Sequence, residues 1–107
     1  TMALTQIADA GLKTPASDLQ DNEKIVLGSG NDLEIYHNGS SNWIDSVNNS
    51  ALILRAGTGD VYLQGNNLYL GDEGAGEKYI DCHKDGAVEL YYDNSKKFET
   101  NSSGVFV

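Results

Sequence analysis

Residues 32–44, DLEIYHNGSSNWI, return 55 positions later as residues 87–99, AVELYYDNSKKFE. Both copies run apolar, Glu, apolar, Tyr, then His or Tyr, a four-residue turn with Ser in its third place, and an aromatic. In the first copy Leu33 and Ile35 alternate with Glu34 and Tyr36, the period-two pattern of a strand with one apolar face. Asn38-Gly39 then supplies residues that accept positive φ, the strongest local signal for a tight hairpin. The second copy places Val88, Glu89, Leu90 and Tyr91 in the same roles, turns through Asp93, Asn94, Ser95 and Lys96, and returns at Phe98 where the first has Trp43. One hairpin is used twice, and each returning aromatic is expected to cover the end of an apolar layer.

The stretch around and between the copies keeps a short rhythm. Ile25 and Leu27, Leu52 and Leu54, Val61 and Leu63, and Leu68 and Leu70 are apolar-x-apolar triplets separated by Gly- or Asn-bearing turns. Strands that short cannot bury a face alone and need stacked neighbours. With 12 Gly in 107 residues, long helices are not expected. The fold expected is all-β: short-rung repetitive β-structure, either an intertwined trimeric β-helix or a β-prism-like fibre, with a single-chain β-solenoid or sandwich as the competitor. Open strand edges invite pairing with other chains, and a homotrimer closes them. Leu33, Ile35, Leu52, Leu54, Val61, Leu63, Val88 and Leu90 are the expected interior and assembly residues.

Residues 1–24 differ from the rest. Leu4, Ile7 and Ala8 can share a face of a short helix ending at Gly11, and Pro15 with the polar run after it reads as a linker. Such an arm, helical or extended, orders against something else. Residues 25–107 form the repetitive β domain, with hairpins at 32–44 and 87–99. Met2 reads as the natural start, and no export signal is visible.

Sixteen acidic against seven basic residues leave a net charge of −9, which disfavours nucleic acid and keeps the protein soluble. Cys82 is the single cysteine, so no internal disulfide forms. No apolar run has the length of a membrane span, so no membrane insertion is expected.

The string LQDNEKIVLGSGNDLEIYHNGSSNWI, together with GAVELYYDNSKKFETNSSGV and the opening MALTQIADAGLK, resembles repeats in tail-fibre-like and other fibrous virion proteins of tailed bacteriophages, especially those of marine cyanobacterial phages. The resemblance implies a noncatalytic structural protein of the virion, assembled in the host cytoplasm. It also implies a homotrimer of intertwined β-structure, with an N-terminal segment that attaches to other virion proteins. Members of this kind carry many repeats and a receptor-binding tip, whereas two repeats are found here. A short capsid or neck decoration protein is therefore an alternative to a fibre shaft.

Exposed aromatics on a β surface can stack on sugar rings, which makes Tyr36, His37, Trp43, Tyr91, Tyr92 and Phe98 candidates for contact with a host-surface glycan. Packing is the commoner fate of such residues. A small carbohydrate-binding, lectin-like module is the functional alternative from another class. The turn Gly28-Ser29-Gly30-Asn31-Asp32 breaks the periodicity of a calcium-binding β-roll and is expected to be an ordinary turn. Cys82 and His83 are strand neighbours on opposite faces, so with Asp85 they cannot chelate one ion. No metal, cofactor or catalytic set is expected, because neither Cys82 nor any Ser stands in a nucleophile context.

Overall fold

The computed structural model describes residues 18–74 and 76–107. The expected N-terminal arm lies outside them except for its last seven residues, 18–24. Eight strands form: β1 (Ile25–Leu27), β2 (Leu33–His37), β3 (Asn42–Ser46), β4 (Asn67–Gly71), β5 (Lys78–His83), β6 (Val88–Tyr92), β7 (Ser95–Asn101) and β8 (Gly104–Phe106). No helix occurs among the described residues, and the protein is all-β. The chain divides into two compact units, the first ending at Arg55 and the second running Ala56–Val107.

The first unit is a three-stranded antiparallel sheet in the order β1-β2-β3. Between β1 and β2, Gly28 (φ 95°) and Asn31 (φ 57°) take the left-handed conformation, and Asp32 N–H donates to Leu27 O at 2.9 Å. Asn48 Nδ2 bonds Asp32 Oδ1 at 3.0 Å, so this Gly-rich segment is a closed turn tied to the end of β3. The β2–β3 turn is held by Asn38, whose Oδ1 accepts from Ser40 N at 2.9 Å and Ser41 N at 2.8 Å. Residues directly opposite in an antiparallel pair share a face. Ile25, Ile35 and Ile44 are aligned across the sheet, as are Leu27 and Leu33. The other face carries Val26, Glu34, Tyr36, Trp43 and Asp45.

The second unit is a five-stranded antiparallel meander, β4-β5-β6-β7-β8. Its register sorts residues by polarity. Leu68 faces Cys82 and Val88, Leu70 faces Ile80, Leu90 and Phe98, and Val105 faces Thr100, which makes one almost wholly apolar side. The opposite side carries Tyr69, Asp81, Glu89, Glu99 and, at the edge, the apolar Phe106 in one row, with His83 beside Asn67 and Tyr91 beside Lys96.

Among the described residues, neither sheet has a second layer within its own unit. No described hydrophobic side chain is buried, and the least exposed described residue is a carboxylate, Asp81 at 7%. This inverts the usual order of globular proteins, where apolar side chains fill the interior and ionised ones stay outside. Ordering a residue costs about 1–2 kcal/mol of backbone entropy. Burying a Leu, Ile or Phe returns about 1.5–3 kcal/mol, and among the described residues that return is largely unrealised.

Two features differ from the sequence expectation. The expected rungs at Leu52, Leu54, Val61 and Leu63 form no strand: residues 51–66 have no backbone hydrogen-bond partner among the described residues. They are apolar and open, with Ile53 74% and Tyr62 76% exposed. The triplet pattern is that of a strand, but no described strand of the same chain lies alongside to pair with it.

The second hairpin is also tighter than a turn over residues 93–96. Asp93 (φ 47°) and Asn94 (φ 60°) make a two-residue turn with both centres left-handed, as a primed hairpin turn requires, and β7 begins at Ser95. A bulge between Leu90 and Tyr91 then shifts the register. Phe98 consequently sits opposite Leu90 on the apolar side, while Trp43 sits opposite Tyr36 on the polar side. The place across from Tyr91 is taken by Lys96.

Candidate functional site

The polar side of the second sheet gathers its side chains around Glu89. Strand alternation puts Asp81 and His83 on the same side of β5, and the β5–β6 register sets Glu89 directly across from Asp81. His83 Nε2 lies 3.2 Å from Glu89 Oε1 and 3.6 Å from Asp81 Oδ1. Tyr91 donates its hydroxyl to Glu89 Oε1 at 3.0 Å. Lys78 reaches Asp81 Oδ2 at 3.1 Å, and Lys96 bridges Glu89 Oε2 at 3.1 Å and Glu99 Oε2 at 2.8 Å.

These contacts set the electrostatics. Hydrogen bonds from Lys96, His83 and Tyr91 pull the Glu89 carboxyl down to about 2. Glu99 and then Glu89 hold the Lys96 ammonium well above its ordinary range, and Asp81 raises Lys78. The Tyr91 phenol is pushed up by desolvation, with its hydrogen bond to Glu89 adding to the effect. Lys78 Nζ also stands 5.5 Å from the centroid of the Tyr91 ring, within cation–π range.

The first unit builds a smaller version of the same cluster from the first repeat copy. Lys24 Nζ bonds Glu34 Oε1 at 2.8 Å and lies 4.5 Å from the Tyr36 ring centroid. That bond raises the Lys24 ammonium above its ordinary value. The repeat thus preserves an arrangement as well as a string: a Glu and a Tyr two residues apart, with a Lys on the Glu and a Lys over the ring.

The aromatic candidates take different places. Tyr36 and Trp43 stack, centroids 6.5 Å apart and planes 14° from parallel, with Trp43 exposed. His37 closes the strand end, its Nδ1 2.8 Å from Asn42 Oδ1 and its Nε2 4.0 Å from Asp21. Tyr91 belongs to the charged cluster, Tyr92 is exposed beside the hairpin turn, and Phe98 lies on the apolar side. Of the expected assembly residues, Leu33 and Ile35 are half-exposed, and Val88 and Leu90 lie exposed on the apolar side of the second sheet.

Sequence reasoning missed Asp81 as the partner of His83. The available signal is the alternation Asp-x-His on one strand with a Glu on the next, which becomes a cluster only once the register is known. Their three ligand-type atoms all lie within 4.8 Å of one another. No known protein-family model, curated protein or solved structure matches this chain.

Proposed function

We propose that this protein is a noncatalytic structural component of a tailed-phage particle, a tail fibre or other fibrous appendage, that works by homotrimeric assembly. The observation that carries the reading is the apolar side of each sheet, left without a covering layer among the described residues of its own unit. Domains are built from two packed layers, so the apolar side of a sheet calls for a second layer against it. Three copies arranged about one axis would turn those sides inward and leave the charged Lys, Glu and Tyr clusters facing water. The unpaired residues 51–66 fit the same scheme, because cyclic symmetry gives each copy's open backbone a neighbour to pair with.

The phage assignment is supported by the likeness of the repeat strings to fibrous virion proteins. In that setting the protein acts by extension in the virion, after assembly in the host cytoplasm, and its N-terminal arm joins it to other virion proteins. A second reading, contact with host-surface glycans, is favoured by Trp43, an exposed indole ring held beside Tyr36 and of the type sugars stack on. Identical platforms on every copy would raise avidity.

Light scattering coupled to gel filtration tests the assembly. A mass three times the 11.5 kDa chain is expected. A monomer that melts cooperatively would overturn the reading and leave a small glycan-binding module in its place.

A further inference from the structure

We propose that Asp81, His83 and Glu89 form a binding site for a divalent transition metal ion of the zinc class. The site stands apart from the assembly reading, since all three residues come from one β-hairpin of one chain. Its geometry is that of a partly built coordination shell. A tetrahedral ion with bonds of about 2.0–2.1 Å holds neighbouring donor atoms about 3.3–3.4 Å apart. His83 Nε2 is 3.2 Å from Glu89 Oε1 and 3.6 Å from Asp81 Oδ1, so two of the three edges stand near shell spacing, and all three donor atoms lie within 4.8 Å of one another.

The lysines do not occupy the position an ion would take. Lys78 bonds Asp81 through Oδ2 and Lys96 bonds Glu89 through Oε2, leaving Oδ1 and Oε1 turned toward the imidazole. Hydrogen bonds to the far oxygens of ligating carboxylates are the usual means by which surrounding residues orient a metal site. Tyr91 shares Oε1 and steadies it further.

Asp81 is buried on the sheet while the His83 side chain is 44% exposed, so the site has a fixed floor and an open entry. One nitrogen and two oxygen donors with a water in the fourth place suit zinc, nickel or cobalt. Calcium needs about six to eight oxygens and finds too few here. Cys82 takes no part, since it points to the other side of β5.

Calorimetric titration of the full chain with Zn²⁺ provides the test. One ion per chain is expected, with affinity falling at least tenfold (about 1.4 kcal/mol) in His83→Ala and in Asp81→Asn. Asp85→Asn, altered in the adjoining turn, is expected to bind like the parent. Cobalt supplies a readout that needs no variant: visible d–d bands of a low-symmetry Co²⁺ site with nitrogen and oxygen donors. Absence of Zn²⁺ binding by the parent, binding unchanged in His83→Ala, or a Co²⁺ spectrum equal to that of the free ion would overturn the proposal. These outcomes are independent of the mass of the assembly, so this proposal and the trimer stand or fall separately.

Discussion

Trp43 stands directly across the β2–β3 pair from Tyr36, the two rings 14° from parallel. The equivalent place across from Tyr91 in the second hairpin is held by Lys96, and its aromatic, Phe98, has passed to the other side of the sheet. The two-residue turn at Asp93-Asn94 sets Lys96 across from Tyr91, and the bulge between Leu90 and Tyr91 carries Phe98 to the other side. Side chains alternate with period two, so a shift of one residue moves everything beyond it to the opposite face. The two copies therefore share a Lys, Glu and Tyr arrangement but differ across from the Tyr, an aromatic ring in one and a lysine in the other.

Replacing Tyr36 by Ala removes the stacked partner of the single tryptophan. Aromatic pairs contribute about 0.5–1.5 kcal/mol beyond their buried area, and the variant is expected to lose at least that in chemical unfolding. Its Trp43 emission should shift to the red. An unchanged emission maximum would show that the pair does not form in solution.

Acid should weaken the second sheet within a defined window. The folded-state value of Glu89 is about 2, below the 4.5 of the free carboxyl. Its contribution is therefore complete above pH 4.5 and is lost as pH falls from there through 2. Glu89→Gln should flatten the stability profile across this window when denaturation midpoints are compared at several acid pH values. The lysines act at the other end. Lys24, Lys78 and Lys96 are raised above 10.5, so their contribution is present below that pH and is lost as pH climbs beyond it.

Asn94 has two tasks. Its backbone supplies the left-handed centre of the tight turn, and its Oδ1 accepts from Lys78 N at 3.1 Å while Nδ2 donates to Gly76 O at 3.2 Å. Asn94→Gly keeps the first task and loses the second, whereas Asn94→Ala loses both. Left-handed backbone costs a residue with a Cβ about 1–2 kcal/mol, and the Ala variant should be the less stable of the two by about that much. Equal stabilities would show that the turn does not hold this geometry.

Leu90 lies on the uncovered apolar side, and Leu54 in the unpaired stretch. Leu90→Asp would force a carboxylate into a covered interior at a cost of several kcal/mol and should reduce the measured mass to that of one chain. Leu54→Pro removes a backbone N–H that has no partner among the described residues, so it should leave a monomer untouched and lower the melting temperature of an assembly. Retention of the trimer mass by Leu90→Asp, or an unchanged melting temperature of the assembly in Leu54→Pro, would sink the proposed packing.

The all-β class and the strands at Ile25–Leu27, Leu33–His37, Asn67–Gly71 and Val88–Tyr92 were legible from local chemistry, because alternation and positive-φ residues act within a few positions of one another, whereas Leu52 with Leu54 and Val61 with Leu63 carried the same local signal and form no strand. Ile35 and Asn38-Gly39 announce their hairpin, and Val88 with Leu90 announces the second. The Asp81, His83 and Glu89 cluster was not legible, since it depends on which residue of β6 lies opposite which of β5. The exit of Phe98 from the aromatic series had no local sign either, because a bulge is a compromise between two strands.

What the amino-acid sequence determined by itself is thus the all-β class and the alternation that divides each strand into an apolar and a polar side. What only the tertiary structure decided is which rungs pair, in which register, and that residues 51–66 find no partner among the described residues of their own chain. The physical reason is that alternation is a property of one strand, whereas register and pairing are properties of two, settled by hydrogen bonds between residues distant in the chain.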